Sequence, residues 1–272
     1  MPPAKAFYIS AEATLLIVGT VLWVRALFFG HAQRWVESPA RLPAWPIGWA
    51  DFLLLPFITL VFLLFLPQGI LWLAGLEITD PPTGHVLLIS GYGMSLALTL
   101  AALLFRLLPG AHPGESRQAP LRCIQAGFMG LVYFLPGCTL LALGWNFALD
   151  SLGLPRAIQD VVEIIRTTGN PWVLAQWILV VALLAPIGEE LVFRAGLFRF
   201  LANRMPPSVA AAISAALFAA LHWNLQASLP LFALGLVLAA VYHKTGRILT
   251  SITLHAAFKL NTLLALIMGA VP

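Results

Sequence analysis

Five ionisable residues near the end of a very apolar chain are the first candidates for chemistry. Two adjacent carboxylates, Glu189 and Glu190, are followed four residues later by Arg194, and two histidines follow at His222 and His255. All five lie in segments that otherwise have the composition of membrane-embedded helices. An ionisable side chain at membrane depth is costly and by default indicates a functional site. Two carboxylates and two imidazoles together suggest acid–base chemistry inside a bilayer.

The composition of the whole chain indicates the kind of fold that holds these residues in position. The 272 residues are 60% hydrophobic and only 10% charged, with a mean hydropathy of +0.92, whereas soluble domains carry about 25% charged residues. We therefore predict an all-α fold, a polytopic bundle of membrane helices surrounded by lipid. The net charge of +4 comes mostly from Lys and Arg close to the predicted spans. Such charges direct membrane topology, and we predict no nucleic-acid partner.

Eight segments are candidates for membrane spans, since a helix that crosses a bilayer needs about 20 mostly apolar residues. The seventh of them is short, so it is expected to be tilted or only partly spanning. Trp172 and Trp223 lie at the ends of predicted spans, where they would anchor the protein at the membrane interface. The candidate spans are 11–29, 49–75, 85–108, 121–149, 172–203, 207–223, 229–243 and 248–270.

The chain is predicted to form one membrane domain, 1–272, with no repeat and no long linker. Within it, residues 1–170 supply the N-terminal spans and residues 171–272 form the core that carries the chemistry. Between the fourth and fifth spans, residues 155–168 are amphipathic. A segment of this kind is expected to lie along the membrane surface as a helix.

The spacing of the two carboxylates predicts different roles for them. Adjacent residues on a helix point about 100° apart, whereas Glu190 and Arg194 are i,i+4 neighbours that can pair on one face. This ion pair would neutralise Glu190 and leave Glu189 facing elsewhere. We therefore interpret Glu190 and Arg194 as support for the site. Glu189 is the candidate base, able to take a proton from water.

His222 is expected to lie level with Glu189 across a helical hairpin. The fifth and sixth spans meet at Met205, with Glu189 16 residues before it and His222 17 residues after it. At about 1.5 Å of rise per residue, both would lie about 25 Å from the turn. Phe218 precedes His222 by one turn on the same face, where packing is its expected role.

The last span carries the third candidate, His255. Lys259 lies one turn further along on the same face, and Asn261 lies about 120° away around the helix. An ammonium group within an apolar span also requires a partner. His255 and Lys259 are therefore candidate site residues, and Asn261 is a supporting candidate.

Taken in order, these motifs resemble one known family. The patterns Glu-Glu-x-x-x-Arg and Phe-x-x-x-His, followed by a histidine in a final apolar helix, are similar to those of the CPBP family. The turn at Thr245 and Gly246, with Ser251 and His255 after it, is similar to the last motif of that family. The family includes the type II CAAX prenyl endopeptidases and the bacterial Abi proteins. The resemblance covers residues 172–262, since residues 1–170 show only generic apolar spans.

The resemblance implies an intramembrane endopeptidase of the glutamic type, formerly classed as a metalloprotease, in a prokaryotic inner membrane. Glu189 matches the residue that activates water, His222 matches its assistant, and His255 matches a residue that stabilises the oxyanion. The implied substrate is a peptide or protein, lipid-modified or membrane-anchored. No cofactor is expected, although Glu189, His222 and His255 could hold zinc as three protein ligands with a water in the fourth position.

One departure from the family pattern leaves alternatives open. The family commonly has Asn four residues after the final histidine, and this chain has Lys259 there, with Asn261 as the nearest Asn. Lys259 could donate to the oxyanion instead, or a local helix distortion could bring Asn261 round. If neither occurs, the protein is a pseudoprotease that binds peptides or partner proteins without cutting them. A proton-coupled transporter would need polar residues in both halves of the chain, whereas they concentrate in the C-terminal half.

Overall fold

The described part of the chain folds entirely as helices and irregular connections. The structure is a computed structural model that describes residues 3–28, 42–77, 82–108, 110–111, 114–154 and 160–270. Of these residues 82% are helical and none is in a strand, which confirms the all-α prediction. The helices are α1 Pro3–Phe28, α2 Trp49–Leu73, α3 Gly84–Phe105, α4 Pro120–Ser151, α5 Asp160–Thr167, α6 Pro171–Ala202, α7 Pro207–Ala220, α8 Leu225–Thr245 and α9 Ile248–Ile267.

Most of these helices are suited to a bilayer. Within the described residues, seven are long and apolar enough to cross a membrane, all except α5 and α7. The protein is therefore an integral multi-pass membrane protein, and the prediction of about eight spans is close. The short apolar helix is α7, with 14 residues, whereas α8 has 21.

The expectation that the seventh span would be short is wrong, because a cap lengthens it. The side chain of Asn224 accepts a hydrogen bond from the N–H of Ala227 at 2.9 Å. Such a cap satisfies a backbone donor that a helix start otherwise leaves without a partner. Helix α8 therefore begins at Leu225, four residues before the apolar run that marked it in the sequence.

The amphipathic segment between the fourth and fifth spans forms α5, Asp160–Thr167. Ile165 on this helix is buried, whereas Glu163 and Arg166 are exposed. The segment thus has an apolar side and a polar side, as the sequence predicts. Residues 155–159 of the predicted helix lie outside the described residues.

The start of α6 is specified by local sequence. The side chain of Asn170 accepts a hydrogen bond from the N–H of Trp172 at 2.9 Å. Pro171 takes the first helical position, where its missing N–H costs nothing. Glu189 lies 18 residues after Pro171, so the start of α6 sets the position of Glu189 along the helix axis.

The helices group into two compact units that the chain visits alternately. Unit 1 comprises Met1–Leu42, Glu115–Ile158 and Ala211–Pro272, and unit 2 comprises Pro43–Gly114 and Gln159–Ala210. In unit 1, α4 packs against α1, α8 and α9, and in unit 2, α3 packs against α2 and α6. The single membrane domain stays a prediction.

Glycines on α4 allow close approach of its neighbours in unit 1. A Cβ atom added to Gly127 would lie 2.7 Å from Cβ of Thr253 and 2.9 Å from the carbonyl oxygen of Thr250, both on α9. A Cβ atom on Gly137 would lie 2.6 Å from the indole of Trp23 on α1. Because lipid is as apolar as the helices, their association depends on such close packing. Helix α4 therefore holds α9, which carries His255.

Gly127→Ala should lower the free energy of unfolding by about 1–3 kcal/mol, the usual cost of overpacking. Gly144→Ala is the matched control on the same helix, because a Cβ there meets no atom within 4 Å. This control should be neutral or stabilising by about 0.5–1 kcal/mol, since alanine is the better helix former. Denaturant unfolding in detergent micelles measures both, and equal effects would contradict the close packing of α4 on α9.

Candidate active site

The acidic pair lies in α6 between two stretches of π-helix. The α-helical turn Ala185–Glu190 is preceded by the π segment Val180–Leu184 and followed by the π segment Leu191–Phe198. π-Helix is rare and is frequent at functional sites. The sequence reasoning predicts a regular helix here and misses both segments. One signal was present in Pro186, because a proline inside a helix removes a backbone hydrogen bond.

Glu190 and Arg194 form a buried ion pair in unit 2. Nη1 of Arg194 lies 3.1 Å from Oε1 of Glu190, and the exposed fraction of both side chains is 0%. The i,i+4 spacing predicts this contact, and it persists although Arg194 lies in a π segment. A buried charge of this kind is stable only with its partner. The pairing supports the interpretation of Glu190 as a structural carboxylate.

Glu189 differs from its neighbour in burial, since it is partly buried and Glu190 fully so. Gly188, immediately before it, is one of the places where α6 packs closely on α3. A Cβ atom on Gly188 would lie 2.7 Å from Cβ of Leu98 and 3.1 Å from the carbonyl oxygen of Ser95. Glu189 lies about 100° further round the helix than this contact. The close packing at Gly188 therefore contributes to how α6, and with it Glu189, is rotated in unit 2.

In unit 1, both histidines pack against one aromatic ring. The ring centroids of Phe218 and His222 are 4.7 Å apart with an interplanar angle of 66°, and those of Phe218 and His255 are 5.6 Å apart at 79°. Both contacts are edge-to-face, the arrangement that aromatic rings prefer. Phe218 and His255 are fully buried. The structure therefore brings the second and third motifs together around Phe218.

His222 lies in the turn after α7 and not within the helix. Helix α7 ends at Ala220, three residues before the predicted end of the span. Nδ1 of His222 is 2.7 Å from the carbonyl oxygen of Phe218. Because a carbonyl oxygen can only accept, Nδ1 donates and carries the proton. When the imidazole is neutral, its lone pair is therefore on Nε2, the atom that can accept a proton.

The third motif separates into two faces of α9. His255 is fully buried, and Lys259 is partly buried one turn later. Asn261 contacts α1 instead: its amide nitrogen donates to Oε1 of Glu12 at 3.3 Å, and the hydroxyl of Tyr8 donates to its backbone oxygen at 3.2 Å. Of the two candidate oxyanion donors, Lys259 is the one on the face of His255. The sequence reasoning overlooked Glu12, although an acidic residue in an apolar span is itself a signal.

Three contacts at the start of α9 were also not predicted from the sequence. Oε1 of Glu115 accepts a hydrogen bond from the N–H of Ile248 at 3.4 Å, and Oε2 lies 3.2 Å from Nη1 of Arg247. The hydroxyl of Ser116 donates to the carbonyl oxygen of Thr245 at 2.6 Å. These contacts hold the first turn of α9 and therefore the position of His255, two turns later. No local pattern could reveal them, because the partners are far apart in sequence.

Among the side chains that the structure describes, no group of three or more His, Cys, Asp or Glu is placed to hold a metal ion. Zinc therefore stays a hypothesis from the residue types alone, and a chelator tests it directly.

Comparison with known protein families bears on the same residues. Residues 171–261 match the family described as Type II CAAX prenyl endopeptidase Rce1-like. The matched segment contains Glu189, His222 and His255, and it confirms the resemblance to the CPBP proteases that the motifs predict. At the level of the family, the chain is thus similar to CAAX-type membrane endopeptidases. Searches of curated proteins and of solved structures give no match.

Breaking the buried ion pair should destabilise the fold. We expect Arg194→Met to cost about 3–5 kcal/mol, because it leaves the Glu190 carboxylate buried without its partner. The double variant Glu190→Leu/Arg194→Met removes both charges and should recover much of this loss. The control is Arg247→Met in the part-exposed pair with Glu115, where about 0–1 kcal/mol is expected. Unfolding curves in micelles measure all three, and a double variant no more stable than Arg194→Met would contradict this account of the pair.

Proposed function

We propose that this protein is an intramembrane endopeptidase of the CPBP (CAAX/Abi) type, in which Glu189 and His222 activate a water molecule. The observation that carries the proposal is the geometry of His222. Its Nδ1 proton is donated to Phe218 O at 2.7 Å, so that Nε2 is the basic atom. This histidine lies in a segment that matches a protease family and that also contains the partly buried Glu189.

In the proposed reaction Glu189 takes a proton from water while Nε2 of His222 accepts a hydrogen bond from the other hydrogen. The water oxygen bonds to the carbonyl carbon of the substrate, and the carbonyl π electrons move to oxygen as an oxyanion. Glu189 then passes its proton to the amide nitrogen as the C–N bond breaks. One water is consumed, and a carboxylic acid and an amine are formed. The two ionisable side chains thus serve as a base and a hydrogen-bond acceptor.

In this scheme His255 and Lys259 stabilise the oxyanion. Donors that are already in place where negative charge develops supply a large part of such catalysis, particularly where water is excluded. Asn261 is bound to Glu12 of α1, which favours Lys259 as the donor on this face. A cationic donor at this position would stabilise the negative charge that develops on the oxyanion.

The remaining site residues support the reacting groups. The ion pair of Glu190 and Arg194 holds the segment next to Glu189, and Phe218 holds both imidazoles. The substrate is a peptide or protein chain, lipid-modified or membrane-anchored. It must enter extended, because a helix shields its own peptide bonds. A prokaryotic inner membrane is the proposed location, and the mechanism needs no metal.

Glu189→Gln and His222→Gln should each lower kcat by at least about 10²-fold, the usual contribution of a positioned acid or base. The first is isosteric and the second keeps a polar side chain of similar size in a part-buried turn, so the unfolding midpoint should change little. Glu163→Gln on α5, where Glu163 is exposed, is the control and should keep full activity. Cleavage of a fluorogenic peptide in micelles is the measurement, with and without EDTA. Full activity of either site variant would contradict the mechanism, and loss of activity in EDTA would favour the zinc alternative.

A pseudoprotease is the second candidate, and Lys259 is the observation that favours it. If Lys259 is the oxyanion donor, Lys259→Leu should lower kcat about 10²–10³-fold, as removal of such a donor does. Lys259→Asn, which restores the residue common in the family, should retain activity. The pseudoprotease reading predicts a different outcome: the unaltered protein binds peptide without turnover, and cleavage appears only in Lys259→Asn.

A further inference from the structure

Trp223 has a backbone conformation that the described chain otherwise gives only to glycine. Its φ is +48°, in the left-handed region, where a Cβ atom crowds the carbonyl oxygen. The other described residues with positive φ are five glycines, at +61° to +75°. One of them, Gly246, directly follows the last residue of α8 with φ +66°, and Trp223 lies three residues after the end of α7. Glycine would therefore be the expected residue at position 223.

The fold gains little from the indole at this position. The side chain of Trp223 is 90% exposed, and the N–H of the residue bonds to the carbonyl oxygen of Ala220 at 3.1 Å, a contact that glycine would also make. An interface anchor needs only an exposed aromatic ring and no strain. Trp172 meets that need in the first turn of α6, at 79% exposure and with helical backbone. Strained residues that the fold does not require are found chiefly at functional sites.

The position of Trp223 beside His222 indicates what that function is. Trp223 directly follows His222, and consecutive Cα atoms are about 3.8 Å apart. The indole is therefore attached to the backbone next to the proposed catalytic imidazole. Both sides of this short segment are held, by the contact of His222 with Phe218 O and by the Asn224 cap on Ala227. The backbone therefore directs the indole from a rigid base next to His222.

We propose that Trp223 is a substrate-binding residue whose indole packs on an apolar part of the substrate beside the bond that is cut. This inference rests on the proposed endopeptidase function. A Trp ring offers a large, rigid contact surface at low entropic cost. An extended chain at the site would present its apolar side chains, or a lipid modification, to such a ring. The strain at Trp223 is then retained because the ring contributes to binding.

The decisive variant is Trp223→Gly, because it removes the ring and relieves the strain together. Its unfolding midpoint in micelles should equal or exceed that of the unaltered protein. Its KM should rise roughly tenfold with little change in kcat, as loss of an apolar contact predicts. Trp223→Phe, which keeps an aromatic ring, should restore most of the affinity. Trp172→Ala is the control for loss of an exposed indole and should leave KM unchanged.

The substrate probe is a fluorescein-labelled peptide with an S-farnesyl cysteine three residues before its C-terminus, compared with the same peptide without the lipid. An unchanged KM in Trp223→Gly for both peptides would overturn the inference. So would an equal rise of KM in Trp172→Ala, since the ring would then be only an interface anchor. A KM defect with the farnesylated peptide alone would assign the lipid as the group that the indole contacts.

A binding measurement separates this inference from the proposed reaction. Benzoylphenylalanine at position 223, as Trp223→Bpa, should crosslink the labelled peptide on irradiation, whereas Trp172→Bpa should not. Crosslinking at 223 in a protein that never cleaves either peptide would support the binding residue and overturn the endopeptidase. Cleavage by the unaltered protein with no crosslink at 223 would overturn the binding residue alone.

Discussion

The buried ion pair of Glu190 and Arg194 is the interaction on which the proposed site depends. Its two charges lie 3.1 Å apart with no exposed side-chain surface. Either charge alone would cost several kcal/mol in such surroundings, so α6 can carry one only with the other. The pair also joins the α-helical turn that contains Glu189 to the π segment that follows it. The position of Glu189 follows from a contact that it does not itself make.

Each unit of the structure holds its own part of the motifs. Unit 2 holds the partly buried Glu189 next to the ion pair of Glu190 and Arg194, and unit 1 holds two imidazoles that pack on the ring of Phe218. The matched family segment, 171–261, runs through both. Phe218 thus has a defined task as the common support of the second and third motifs, whereas its place in the sequence indicated only packing.

Residues outside the matched segment hold the last helix in place. Glu115 satisfies the N–H of Ile248 and pairs with Arg247, while Glu12 binds the amide of Asn261. Because Gly127 has no Cβ atom, α9 can pack closely against α4 at this position. The position of His255 therefore depends on α1, on α4 and on the connection before α4, none of which carries a motif of the family.

The sequence by itself determined the features that depend on neighbouring residues. The lengths of the apolar runs predicted an all-α membrane protein, and the i,i+4 spacing predicted the contact of Glu190 with Arg194. The order of the motifs predicted the family. Tertiary structure decided the rest: how His255 meets Phe218, why Asn261 is bound to Glu12, and how Glu115 holds the start of α9. Those features depend on contacts between segments far apart in the chain, and a periodic pattern reports only which face of a helix is apolar, not what packs against it.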